Sequence, residues 1–174
     1  MKIKLLLLFG LISITNSFAI SEDVCTADVS QYTKENLKHR KNIFKTKSSN
    51  VAKVLPSQLL DYAFQDQILL KNKVTVTYTV GGCAHYNISF KFQGTQLKKA
   101  NASKKLSRAE ALLKSLVLND NKEKSLFLKA LAEAKKKKLT PAQAGEYQLP
   151  CGDALCTLTD RDNFEVLLSY SFAL

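Results

Sequence analysis

The clearest feature along the chain is a change of hydrophobic period. Val74, Val76, Tyr78 and Val80 alternate with Thr75, Thr77 and Thr79. A period of two gives a strand one buried face and one hydroxyl face. Gly81-Gly82 breaks the run. Tyr86, Ile88, Phe90 and Phe92 then alternate with Asn87, Ser89, Lys91 and Gln93. Two such runs around a glycine pair predict an antiparallel hairpin. The C-terminus repeats the pattern: Thr157 to Thr159 leads into Asp160-Arg161-Asp162-Asn163, a cluster of turn formers. Phe164, Val166, Leu168, Tyr170 and Phe172 then alternate with Glu165, Ser169 and Ser171. The length of that last strand places it inside the sheet. Burial is expected for Val76, Tyr78, Ile88, Phe90, Val166 and Leu168.

Between the hairpins the period lengthens to that of a helix. Ala109, Leu112, Leu113 and Leu116 form one stripe. Ser107 and Glu110 have the spacing of a capping box, in which each side chain satisfies the other's free amide. Leu126, Phe127, Ala130, Leu131 and Ala134 form a second stripe, with Asp120 and Glu123 repeating the capping spacing. Lys135, Lys136, Lys137 and Lys138 fall where the helix dipole is negative. Helices are therefore expected over 107–118 and 121–138, closed by Thr140-Pro141. Upstream, Pro56-Ser57 opens an expected short helix, with Leu59, Leu60, Ala63 and Phe64 at helical spacing. Residues 20–53 read as a peripheral helix or mobile arm, with Leu37, Ile43 and Phe44 on one face and a loop at 48–50. Segregated strands and helices imply the α+β class. The expected sheet is antiparallel, built from two β-hairpins, with helices packed on one face. No internal repeat has a fixed period.

The first nineteen residues change the picture of where the chain works. Lys2 and Lys4 precede the apolar run 5–14, and Ser17 and Ala19 supply small residues. This is the layout of a secretory signal peptide cut after Ala19. The run is too short to span a bilayer, which takes ~20 residues, and no later segment is long and apolar enough to do so. The expectation is a single exported domain, residues 20–174, periplasmic or secreted, and bacterial.

Four cysteines then read as two disulfides. Cys151 and Cys156 enclose Gly-Asp-Ala-Leu, a loop able to close on itself, which leaves Cys25 for Cys83. The alternative joins Cys83 to Cys151 or Cys156. Asn87-Ile88-Ser89 and Asn101-Ala102-Ser103 match the N-glycosylation triplet, which matters only in a eukaryotic secretory pathway.

The whole chain carries 26 Lys+Arg against 15 Asp+Glu, a net charge of +11. Loss of Lys2 and Lys4 with the leader lowers this to about +9. Only Arg40, Arg108 and Arg161 are arginine. Lysine is a point charge without arginine's planar fork, so the excess suits loose attraction to anionic surfaces. Nucleic-acid binding is set aside, since no motif for it is present. Two basic runs stand out. One holds Lys98, Lys99, Lys104 and Lys105; the other is Lys135 to Lys138. They read as solvated segments, or as a patch for an anionic envelope polymer.

Candidate chemistry is sparse. The sequence has no G-x-S-x-G, S-x-x-K or glycine-rich phosphate loop. His39 and His85 are the only histidines, too few for a metal site of three or four ligands. No metal or other cofactor is expected. Asp160 and Asp162 read as turn formers in water rather than paired acid–base carboxylates. Cys83 and His85 lie two apart, and a thiol nucleophile needs a base within hydrogen-bond reach. An exported cysteine with three potential partners is expected to be oxidised instead.

What remains is a glycine-hinged corner: Gly81, Gly82, His85 and Tyr86, anchored by Cys83. Rigid loops bearing Tyr and His make good binding elements. Through Gly82 and Tyr86 the corner resembles the Ser-Gly-x-x-Tyr loop of periplasmic lysozyme inhibitors, which are small all-β barrels. The likeness covers six residues, with one extra spacer and no Ser, and the helices here depart from that fold. The sequence therefore implies a non-enzymatic exported protein that binds another protein, an inhibitor or immunity-type protein of the envelope being the most concrete version. Its alternatives are a cationic protein binding an anionic polymer through lysines, and a thiol hydrolase using Cys83 and His85.

Overall fold

The computed structural model describes residues 28–45, 48–95, 97, 102–141, 145–161 and 164–173. The expected leader, residues 1–19, and Cys25 lie outside them. Among the described residues the order is a 3-10 turn (Val29–Gln31), α1 (Lys34–His39), β1 (Val51–Val54), β2 (Gln58–Leu60), β3 (Ala63–Leu70), β4 (Thr75–Gly81) and β5 (His85–Gln93). Then come α2 (Ala102–Ser115), α3 (Lys122–Lys136), β6 (Glu146–Leu149), β7 (Leu155–Arg161) and β8 (Glu165–Ala173). The class is α+β.

All eight strands form one antiparallel sheet in the order β1-β3-β4-β5-β8-β7-β6, with β2 also paired to β3. The expected hairpins are β4–β5 and β7–β8. They join through β5 and β8, which pair from His85↔Ala173 to Gln93↔Glu165. The last strand is therefore interior, as its length implies.

Period two fixes which side chains meet the helices. Val76, Tyr78, Phe90, Val166 and Leu168 are buried, and Ile88 is half-buried against the same core. The inner stripes of α2 and α3 supply Ala109, Leu113, Phe127, Ala130, Leu131 and Ala134 to that cluster. Phe90 and Phe127 meet edge-on with ring centroids 5.9 Å apart. The opposite face carries Thr75, Thr79, Ser89, Thr157 and Ser169, none of them fully buried.

Three expectations are corrected. The stretch 56–64 is not a helix: it contributes β2 and the start of β3, closed by a turn at Asp61-Tyr62. In β3 the inward positions are Phe64, Asp66, Ile68 and Leu70, all buried. An aspartate at an inward position hides the alternation from a hydrophobicity pattern.

Within 20–53 the described residues, 28–45 and 48–53, are not all peripheral. Among them α1 is a surface helix, capped by Thr33, whose Oγ1 accepts from Asn36 N at 3.1 Å. Ile43 and Phe44 belong to the core and Val51–Val54 to the sheet. Phe44 bridges Leu118, with Lys45 N on Val117 O at 3.1 Å and Asn119 N on Ile43 O at 2.7 Å.

Finally, Ser107 is not a cap. The first long helix begins at Ala102, because Lys105 and Leu106 also find buried partners along its inner side. Glu110 turns instead to Lys114 and Lys135. At α3, Asp120 Oδ1 does accept from Lys122 N at 3.0 Å, but no reciprocal bond from Glu123 completes a box.

Candidate binding end of the sheet

The glycine-hinged corner sits where strand ends converge. One register rank runs Ala63↔Gly81↔Asn87↔Ser171↔Leu155 across β3, β4, β5, β8 and β7. The turns at 61–62 and 82–84, the end of β8 and the disulfide loop before β7 therefore share one end of the sheet. The chain can turn at 81–82 because both residues are glycine. Gly81 and Gly82 have φ of 138° and 149°; a Cβ on Gly81 would lie 2.4 Å from Tyr62 O, and one on Gly82 only 1.8 Å from His85 O. Gly82 N also donates to Tyr62 O at 2.6 Å, locking the two turns together.

The structure brings the predicted loop residues to this end. His85 opens β5 and is exposed. Tyr86, half-buried, packs on Phe172 at 5.3 Å between centroids, and Phe172 meets Tyr170 at 5.7 Å. Burial raises the Tyr86 hydroxyl above the ordinary phenol range. Sequence reasoning missed the rest of the rim. Of the six exposed large hydrophobics among the described residues, Leu60, Tyr62, Leu155 and Phe172 lie at this end, while Val117 and Phe164 lie elsewhere. Covalent bonds stiffen it. Cys151–Cys156 closes the β6–β7 loop with a Cα separation of 5.9 Å, which removes the alternative pairing of either with Cys83. Cys83 is itself disulfide-bonded and offers no thiolate to His85. One disulfide is thus described in full; Cys25, the partner expected for Cys83, lies outside the described residues.

The described lysines of the two basic runs differ in their surroundings. Lys98 and Lys99 lie outside the described residues, and Lys104 is exposed. Lys105 is buried: its Nζ donates to Asp160 O at 2.8 Å and sits 3.9 Å from Asp160 Oδ1. Lys135 is paired with Glu110. Lys136, Lys137 and Lys138 are exposed at the end of α3.

Asp160 is not a turn former in water. It lies within β7, 1% exposed, at an inward position. Arg108 Nε donates to Asp160 Oδ2 at 3.0 Å, and Nη2 donates to Oδ1. Asp162 lies outside the described residues. A matching arrangement exists across the sheet. Asp66 of β3, fully buried, accepts from Arg40 Nη1 and Ser57 Oγ at 2.5 Å and from Ile43 N at 2.9 Å. A signal for both was available: two of only three arginines in a lysine-rich chain face aspartates at inward strand positions. Arginine's fork suits a buried carboxylate as lysine does not.

Among the described residues no group of three His, Cys, Asp or Glu side chains gathers at metal-binding distance, and no helix is long and apolar enough to cross a membrane. No protein-family model, characterised protein or solved structure matches this chain.

Proposed function

We propose that the chain is an exported, non-enzymatic binding protein of the bacterial envelope, of the inhibitor or immunity type, whose contact surface is the loop end of its sheet. The carrying observation is that Leu60, Tyr62, Leu155 and Phe172, exposed large hydrophobics, all lie along this one end of the sheet, which also bears His85 and Tyr86. Exposed large apolar groups confined to one end of a fold support its reading as an interaction surface. A rim held by disulfides loses little entropy on docking. The oxidised Cys83 removes the nucleophile on which the thiol-hydrolase alternative depends. The anionic-polymer alternative is weakened because Lys105 and Lys135 are engaged within the fold.

The test is a pull-down from envelope extract with the mature protein and its Tyr62→Ser/Leu155→Ser/Phe172→Ser variant. The wild type should retain one partner in about 0.5 M salt, where exposed ion pairs are screened, and the variant should lose it. Retention by the variant, or release by salt alone, would overturn the reading.

A further inference from the structure

A second surface lies along α3. Two open cavities, of about 340 and 540 Å³, both touch Pro150, Cys151 and Gly152 and extend along the helix from Lys122 to Lys137 and on to Thr140. Leu126, Ala130, Leu149 and Pro150 contribute the apolar lining. Lys122, Lys129 and Lys137 stand on the rim, exposed and without an ion pair among the described residues; Glu133 is the one acidic residue among those that line the two cavities. The groove therefore carries two uncompensated positive charges over an apolar floor.

We infer that this groove takes an extended, acidic segment of a partner protein, with its carboxylates on Lys122, Lys129 and Lys137 and its apolar side chains on Leu126, Leu149 and Pro150. Three observations choose that occupant. First, the charge is complementary: a lysine ammonium pairs with a carboxylate as a point charge and needs no planar fork. Second, the apolar floor suits alternate side chains of a peptide, whereas a fully polar polysaccharide would leave it uncovered. Third, β6 is the outermost strand. Asp160 N bonds Gly145 O at 2.9 Å, and the register with β7 continues without a shift through Leu149↔Cys156. In an antiparallel ladder the main chain of alternate residues turns outward, here that of Glu146 and Gln148. Among the described residues no strand pairs with that edge, so a segment in the groove has backbone partners as well as charges. The lysines span about 22 Å at the helical rise, the length of about seven extended residues.

The inference rests on the protein-partner reading only for the class of its occupant, and its experiment avoids the partner altogether. A fluorescently labelled heptapeptide alternating glutamate and leucine is titrated into the mature protein and followed by anisotropy. Changing Lys122, Lys129 and Lys137 to Gln should weaken binding about tenfold, as expected from three exposed pairs. Changing Lys45, Lys53 and Lys71 to Gln removes the same charge from exposed sites elsewhere and should leave affinity within about twofold. Ser125→Trp, on the exposed groove side of α3, should block binding without altering charge. Tyr62→Ser/Phe172→Ser should bind like the wild type, which separates this groove from the rim. Equal losses in both lysine triples would reduce the effect to net charge and overturn the inference. So would undiminished binding of the glutamine–leucine peptide. A response confined to dextran sulfate or phosphatidylglycerol vesicles, with no peptide binding, would assign the groove to a polymer or a lipid instead.

Discussion

Arg108 of α2 closes its guanidinium fork on the carboxylate of Asp160 in β7, one nitrogen to each oxygen. The pair ties the helical layer to the sheet across 52 residues of sequence. Asp160 is wholly buried as a side chain and Arg108 is 16% exposed. Removing one partner from such a pair leaves the other charged and desolvated.

Asp160→Ala is accordingly expected to cost about 3–5 kcal/mol in urea unfolding, since Arg108 loses both bonds to that carboxylate and Lys105, which keeps the Asp160 carbonyl, loses the nearby negative charge. Replacing Asp160 and Arg108 together by apolar residues of similar volume should recover most of that loss. A double variant no better than Asp160→Ala would show that the pair is not the source of the cost.

Asp66 performs the matching task for the N-terminal segment, gathering Arg40, Ile43 and Ser57. Asp66→Ala should free that segment before the rest of the sheet opens. Hydrogen exchange is the appropriate readout: the Ile43 amide should exchange at least tenfold faster, while Phe90 and Leu168 keep their protection. Uniform loss across all three would mean global destabilisation and no local latch.

The disulfides make unequal contributions. Non-reducing peptide mapping should return Cys25–Cys83 beside the Cys151–Cys156 bond. By the chain-entropy model the short loop is worth about 2 kcal/mol and the long one about 4. Cys83→Ser should therefore lower stability more than Cys156→Ser. A thiol at Cys83 that alkylates readily near neutral pH would restore the enzyme reading.

Glu110 accepts from Lys114 and Lys135, and those bonds hold its carboxyl below the usual glutamate range. A lowered folded-state value stabilises above the unfolded value, about 4.3, and the gain is lost as pH falls through the folded value. Glu110→Gln should cost about 0.5–1 kcal/mol at neutral pH, a figure kept small by solvent screening. The difference from wild type should shrink below about pH 4; one that persists unchanged in acid would exclude the ion pairs as its origin.

The hydrophobic pattern by itself determined the class, both hairpins, the inward phase of β4, β5 and β8 and the two long helices. Each follows from local spacing, period two or period 3.6. The spacing favoured a Cys151–Cys156 closure, and the tertiary structure decided it against a pairing with Cys83. The tertiary structure decided what depends on partners far away in sequence. Phe44 is core because Leu118 lies beside it. Asp66 and Asp160 are inward because Arg40 and Arg108 reach them, so β3 escaped an apolar count and Asp160 passed for a turn residue. Glycines and tyrosine marked one corner of the candidate binding end in advance. The rim formed only when antiparallel pairing brought Tyr62, Leu155 and Phe172, separated by most of the chain, to the same end of one sheet.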